Sequence, residues 1–169
     1  MRRNVIESRK MKIGVISDTH LKRPTPLLEK VTEEYFSDID LVVHCGDLVS
    51  MEVLEASKGK EVVAVSGNTD YPEVRRKLPE KQTLTAGRFK IGVIHGRGPS
   101  IGLAKRIASS FEGVSCLVYG HSHRPSIHHF GGVLYFNPGA FSRGISSLWR
   151  CSIGLLTITQ EIRAEILRW

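Results

Sequence analysis

Seven side chains able to ligate a metal ion stand at, or directly behind, the ends of short apolar runs. Lys12–Ser17 (KIGVIS) leads into Asp18-Thr19-His20, and Asp40–His44 (DLVVH) into Cys45-Gly46-Asp47. Glu61–Ser66 (EVVAVS) leads into Gly67-Asn68-Thr69-Asp70. Lys90–His95 (KIGVIH) ends on His95-Gly96, and Ser115–Tyr119 (SCLVY) is followed by Gly120-His121-Ser122-His123. Each piece alone is ordinary. An Asp or Asn behind a strand is a common turn former, an HxH pair can be a surface feature, and glycines supply turns without any chemistry.

The set as a whole is not ordinary. Turns have no need of histidine three times over. A two-metal hydrolase does need mixed nitrogen and oxygen ligands, a carboxylate able to bridge, and room for water. Imidazole mixed with carboxylate suits Mn, Fe or Zn better than Ca or Mg.

The elements that must position these groups follow from the patterning. The five runs are short and rich in β-branched residues, which predicts buried strands. Their ends would open into one crevice, where α/β sheets bind ligands. Leu27, Leu28, Val31, Tyr35 and Phe36 share one helical face behind Pro24 and Pro26. Met51–Ser57 predicts a short helix, and Ile101, Ala104, Ile107, Ala108 and Phe111 another. Ser126–Phe130 and Val133–Phe136 flank Gly131-Gly132 as a hairpin. Ile153–Ile158 and Glu161–Leu167 predict a second. Strands alternating with helices early and pairing as hairpins late predict a mixed α/β domain around one core.

The chain has 169 residues, 41% hydrophobic and 24% charged, with a formal charge of +7. That size fits one domain. The first ten residues hold four basic side chains and one acidic. They read as a solvated extension, residues 1–10, ahead of a single domain from Met11 to Trp169. No run approaches the ~20 apolar residues of a membrane span, and the basic N-terminus lacks a signal peptide's apolar stretch; a cytoplasmic protein is expected. Cys45 and Cys116 fall in apolar runs as core residues, and no CxxC pair suggests a zinc knuckle.

The order Asp18-x-His20, Gly46-Asp47, Gly67-Asn68-x-Asp70, His95-Gly96 and Gly120-His121-x-His123 resembles the calcineurin-like metallophosphoesterases. The short length and Asn137-Pro138-Gly139-Ala140 resemble their small bacterial and archaeal phosphodiesterase branch. The resemblance covers nearly all of Met11–Trp169. It implies two mixed β-sheets packed face to face with helices outside. It implies two divalent ions, Mn foremost, with Fe, Zn or Ni as alternatives. Asp18, His20, Asp47 and His123 would hold one; Asp47, Asn68, His95 and His121 would hold the other, with Asp47 bridging. Asp47, Asn68 and His95 count as the catalytic ligands. A metal-bridging hydroxide would attack the phosphorus of a small phosphoester, most simply a phosphodiester. Arg97, behind His95, Arg143, behind the Asn137–Ala140 loop, and Lys22 and Arg23, behind His20, are candidates to meet the phosphate.

One position departs from the pattern. Many members of the wider family carry a histidine where this chain has Thr69, and that histidine is thought to assist the leaving oxygen. Threonine cannot serve as a general acid near neutral pH, which points toward substrates with good leaving groups. Two other readings remain. A retromer scaffold subunit resembles this branch but has lost much of the ligand set, whereas every ligand position is kept here. The positive charge would suit a nuclease, yet no aromatic stacking platform for bases is evident. Homo-oligomerisation is left open.

Overall fold

The computed structural model describes residues 10–142 and 151–168. Ten strands form two five-stranded sheets. The first has the order β10-β9-β1-β2-β3, built from β1 (Met11–Ile16), β2 (Leu41–His44), β3 (Glu61–Ala64), β9 (Ser152–Ile158) and β10 (Ile162–Arg168). The second has the order β4-β5-β6-β8-β7, built from β4 (Lys81–Ala86), β5 (Phe89–Ile94), β6 (Cys116–Tyr119), β7 (Ser126–Phe130) and β8 (Val133–Asn137). β1, β2 and β3 run parallel, as do β5, β6 and β8, while the hairpins β7–β8 and β9–β10 are antiparallel. Both sheets are mixed, as the family resemblance implies.

Strand alternation explains why the layers stack. Ile13 and Val15, Leu41 and Val43, Ile91 and Val93, Cys116 and Val118, and Leu134 and Phe136 share the core between the sheets. The residues between them on the same strands face outward. Val42 and Ile16 meet α1 (Pro26–Tyr35) and the 3-10 helix Met51–Ser57 through Leu28, Val31 and Val53. Leu117 and Tyr119 meet α3 (Leu103–Ala108) through Leu103 and Ile107. Burying one such aliphatic side chain is worth about 1.5–3 kcal/mol, so the sandwich is stabilised on three layers of contact.

The repeated KIGVI of β1 and β5 serves the same purpose twice. A Cβ at Gly14 would lie 2.7 Å from Phe36 Cδ1, and one at Gly92 2.8 Å from Phe111 Cδ1. Each strand's glycine admits an aromatic ring from just behind the following helix.

Several expectations are refined. Thr25 caps α1 by accepting from Leu28 N at 3.3 Å, with Pro26 opening the helix. α3 is shorter than the apolar spacing suggested, because Gly102 enters it in a left-handed turn. β4 and α2 (Pro72–Lys77) were not expected. β4 is a polar edge strand with alternating exposure, and α2 has only six residues, with Val74 alone buried. No helix among the described residues is long and apolar enough to cross a membrane.

Candidate metal centre

The parallel cores of both sheets point their carboxyl ends to the same rim. The loop after β1 carries Asp18 and His20, that after β2 Asp47, and that after β3 Asn68. From the other sheet, β5 leads into His95 and β6 into His121 and His123. Backbone bonds lock the loops together: Asp18 N donates to Gly46 O at 3.1 Å, His20 N to Asp47 O at 3.0 Å, and Gly120 N to His95 O at 3.2 Å.

The backbone is bent sharply at the ligands themselves. Among the described residues six non-glycines have positive φ, and five are Asp18, His20, Asp47, His121 and His123. Left-handed backbone is uncommon for side-chain-bearing residues, and it clusters where the surroundings over-determine it. Here it turns side chains at strand ends into the crevice. The packing leaves no slack: a Cβ on Gly67 would lie 2.2 Å from Asp47 Oδ1.

Five of the seven predicted ligands form a tight cluster. His123 Nε2 is 3.1 Å from Asp18 Oδ1 and 3.3 Å from His20 Nε2. His95 Nε2 is 3.3 Å from Asp47 Oδ2 and 4.0 Å from Asp18 Oδ1. Donor atoms of Asp18, His20 and His123 fall within 4.8 Å of one another, as do those of Asp18, Asp47 and His95. Asn68 and His121 pair beside this cluster, Asn68 Oδ1 lying 2.9 Å from His121 Nδ1. The rings of His95 and His121 meet edge to face at 5.3 Å.

The opposite edge of each ring explains its aim. His95 Nδ1–H donates to Cys45 O at 2.7 Å, and His121 Nε2–H donates to Gly98 O at 2.7 Å. His20 Nδ1 faces Thr69 Oγ1 at 3.2 Å. In each neutral ring the other nitrogen then turns a lone pair inward, as in metal-binding histidines. Asp47 Oδ1 accepts from Thr69 N at 2.8 Å, and Asp18 Oδ2 from Ser17 Oγ at 2.6 Å and His121 N at 3.1 Å. One oxygen of each carboxylate is thereby used to orient the other.

The residues fit a bound cation. Asp18 Oδ1 and His95 Nε2 are buried without any hydrogen-bond partner, which is costly unless a cation completes them. Ring nitrogens and carboxylate oxygens approach one another at 3.1–3.3 Å. Ligands bound at about 2.1 Å in adjacent positions lie roughly 3 Å apart.

The same proximity shifts the titration of these groups. Burial would raise the Asp47 carboxyl, but His95 and the Thr69 N–H hold it down at about 2. Burial would lower the His95 ring, but Asp47 and Asp18 raise it. Asp18 likewise raises His123. Metal ions must displace such protons, so binding weakens in acid.

Sequence reasoning missed the supports. His44 is 2% exposed. Its Nε2 lies 3.2 Å from Thr19 Oγ1, and its Nδ1 accepts from Gly46 N at 3.2 Å. It thus ties the loop of Asp18 and His20 to the loop of Asp47. Burial pushes this ring down to about 4, so it stays neutral. Asn137 donates to Gly120 O at 2.8 Å and to Ser122 Oγ at 3.1 Å, holding the His121–His123 loop. Only its place beside the motifs could have flagged His44, whereas Asn137 stands in a segment that carries the resemblance but whose role was not read. Burial also raises the Cys45 thiol, and brings Cys116 up to about 12, as inert core residues. Arg97 is exposed on the loop after His95; Arg143 lies outside the described residues.

Residues 11–161 match the calcineurin-like phosphoesterase superfamily domain. A probable metallophosphoesterase of Methanocaldococcus jannaschii, MJ0623, is 39% identical over 93% of this chain and 81% of its own length. The phosphodiesterase MJ0936 of the same organism is 29% identical over 92% of this chain and 98% of its own. A Streptococcus pneumoniae protein described as a predicted phosphoesterase has a crystal structure that superposes with a TM-score of 0.75. It is 26% identical and covers 95% of this chain and 91% of its own. Fold, ligand geometry and relatives agree, and the chain belongs to the calcineurin-like phosphoesterase superfamily.

Proposed function

We propose that this chain is a two-metal phosphodiesterase acting on small phosphodiesters. The observation that carries the reading is the pair of buried, unpartnered atoms, Asp18 Oδ1 and His95 Nε2, within a convergent set of lone pairs. Asp18, His20, Asp47 and His123 would hold one ion, and Asp47, Asn68, His95 and His121 the other, with Asp47 shared. The donor mix favours Mn, with Fe, Zn or Ni as alternatives.

Two divalent ions, when bound, supply Lewis-acid charge that activates water and offsets charge on the phosphate oxygens. The chain does the rest. His95 and His121 are oriented by their bonds to Cys45 O and Gly98 O, which leaves the other ring nitrogen of each free to meet an ion. Arg97 and Arg143 would orient a phosphate entering from solvent. A serine nucleophile has no support: Ser17 Oγ is fully buried and donates to Asp18, and Ser122 Oγ accepts from Asn137 and Arg124 N. The Thr69 hydroxyl is engaged with His20, so the leaving oxygen departs without a proton from that position.

The test is elemental analysis of the protein reconstituted with Mn, combined with hydrolysis of bis-p-nitrophenyl phosphate and p-nitrophenyl phosphate. Two ions per chain and preference for the diester are expected. A single ion, or activity on the monoester alone, would refute the reading.

A further inference from the structure

The charges around the cluster are one-sided. Five segments deliver the ligand candidates: residues 17–25, 45–50, 65–71, 95–102 and 120–125. Every carboxylate on them is buried: Asp18 at 0%, Asp47 at 2% and Asp70 at 3% exposure. Every cation on them is exposed: Lys22, Arg23, Arg97 and Arg124. Each cation follows a histidine of the cluster by one to three residues. Their Cα atoms therefore lie within about 4–11 Å of that histidine's Cα. Among the described residues, the Lys and Arg ion pairs are Lys12 with Asp38 and Arg163 with Glu161. Lys22, Arg23 and Arg97 are in neither.

Arg97 stands on a braced loop. The Arg106 guanidinium of α3 donates to Ile101 O at 2.8 Å, to Arg97 O at 3.3 Å and to Pro99 O. From the other side, Gly98 O accepts from His121. The backbone that carries Arg97 is thereby braced beside the loop of His121.

A simple diester carries one negative charge. The ions and one arginine are enough to receive it. Lys22 and Arg23, on the loop after β1 rather than on the loop after β5 with Arg97, are in no ion pair among the described residues. From this asymmetry we propose that the substrate is a phosphodiester bearing at least one further anionic group, such as a second phosphate, and that Lys22 and Arg23 receive it. This rests on the phosphodiesterase reading above and specifies its substrate class. Fields focused into a cleft of one sign raise encounter rates by about 10–10³-fold at low salt and fade as salt rises.

The test uses the Mn-loaded protein and two substrates with the same scissile bond and leaving group. One is thymidine 5′-(p-nitrophenyl phosphate); the other is the same ester carrying a 3′-phosphate. At about 20 mM salt the phosphorylated ester should show at least about tenfold higher kcat/KM. The ratio should approach one at about 500 mM salt. Lys22→Gln/Arg23→Gln should lower the low-salt ratio by threefold or more. If both esters are cleaved at equal kcat/KM at low salt, the proposal fails while the phosphodiesterase reading stands. A preference that survives in the double variant removes Lys22 and Arg23 from it. If neither ester is cleaved, the phosphodiesterase reading fails and takes the proposal with it.

Discussion

Asp70 Oδ1 accepts a hydrogen bond from Val49 N at 2.5 Å, joining the loop after β3 to the loop after β2. Val49 has φ 77°, the one positive-φ residue in the set that is not a candidate ligand. A β-branched side chain is poorly suited to that backbone, so the bond stabilises a conformation the residue would not choose. The other carboxylate oxygen accepts from Gly67 N at 2.6 Å. Asp70 is therefore a brace between the segments bearing Asp47 and Asn68. The motif position alone did not reveal that role.

Asp70→Ala would strand two N–H groups beside a strained turn. Charge-assisted bonds of this kind contribute about 1.5–3 kcal/mol each, so a loss of about 3 kcal/mol or more is expected. Urea unfolding of the metal-free protein measures it. A loss below about 1 kcal/mol would show that water replaces the carboxylate.

Asp47→Asn should deplete both ions and abolish turnover, because Asp47 Oδ2 lies near both His95 and His20, at 3.3 and 3.9 Å. The amide keeps the acceptor for Thr69 N, so the fold should survive. Elemental analysis and circular dichroism separate the two effects. A folded variant retaining two ions and normal turnover would remove Asp47 from the shared position.

The strands, and the polar residues that cluster at their ends, were legible because apolar runs end abruptly in polar triplets, and that boundary is a local signal. β4 was not legible, since KQTLTA lies on an edge and buries little. His44 was hidden by its own context: at the end of an apolar run it reads as core, and only the three-dimensional pairing with Thr19 and Gly46 reveals its task. The left-handed turns at Asp18, His20 and Asp47 could not be read either. Asp and His carry no obligation to adopt them, and the neighbouring loops impose them.

His44 also predicts a pH dependence. Its folded value of about 4 lies below its ordinary 6.5. Between those values the unfolded chain binds a proton that the native state refuses, so stability falls as pH drops. The full difference is about 3 kcal/mol. His44→Gln lacks this titration. The stability of the natural protein relative to the variant should fall by up to that amount between pH 6.5 and 4, measured by urea unfolding. A constant difference would mean that His44 becomes protonated in the folded state.

Thr69 yields the sharpest expectation, because it acts through two separate atoms. Its N–H orients Asp47 at 2.8 Å, and its hydroxyl faces His20 Nδ1 at 3.2 Å. Under the phosphodiesterase reading no proton donor stands at this position, so rate should depend steeply on the leaving group. A nitrophenyl ester should turn over far faster than an alkyl ester. Thr69→His would place an imidazole able to donate near neutral pH, and general acid catalysis is typically worth about 10²–10⁴-fold. The gain should appear for alkyl leaving groups and hardly at all for nitrophenyl. Thr69→Val separates the second role. It keeps the backbone N–H and the shape but removes the partner of His20, so metal affinity should weaken while the slope stays as steep. The measurement is log kcat against leaving-group pKa for the three proteins at matched metal content, with metal affinity determined separately. A flat plot for the natural protein would mean that another side chain already protonates the leaving oxygen. Unchanged metal affinity in Thr69→Val would mean that its hydroxyl does not hold His20.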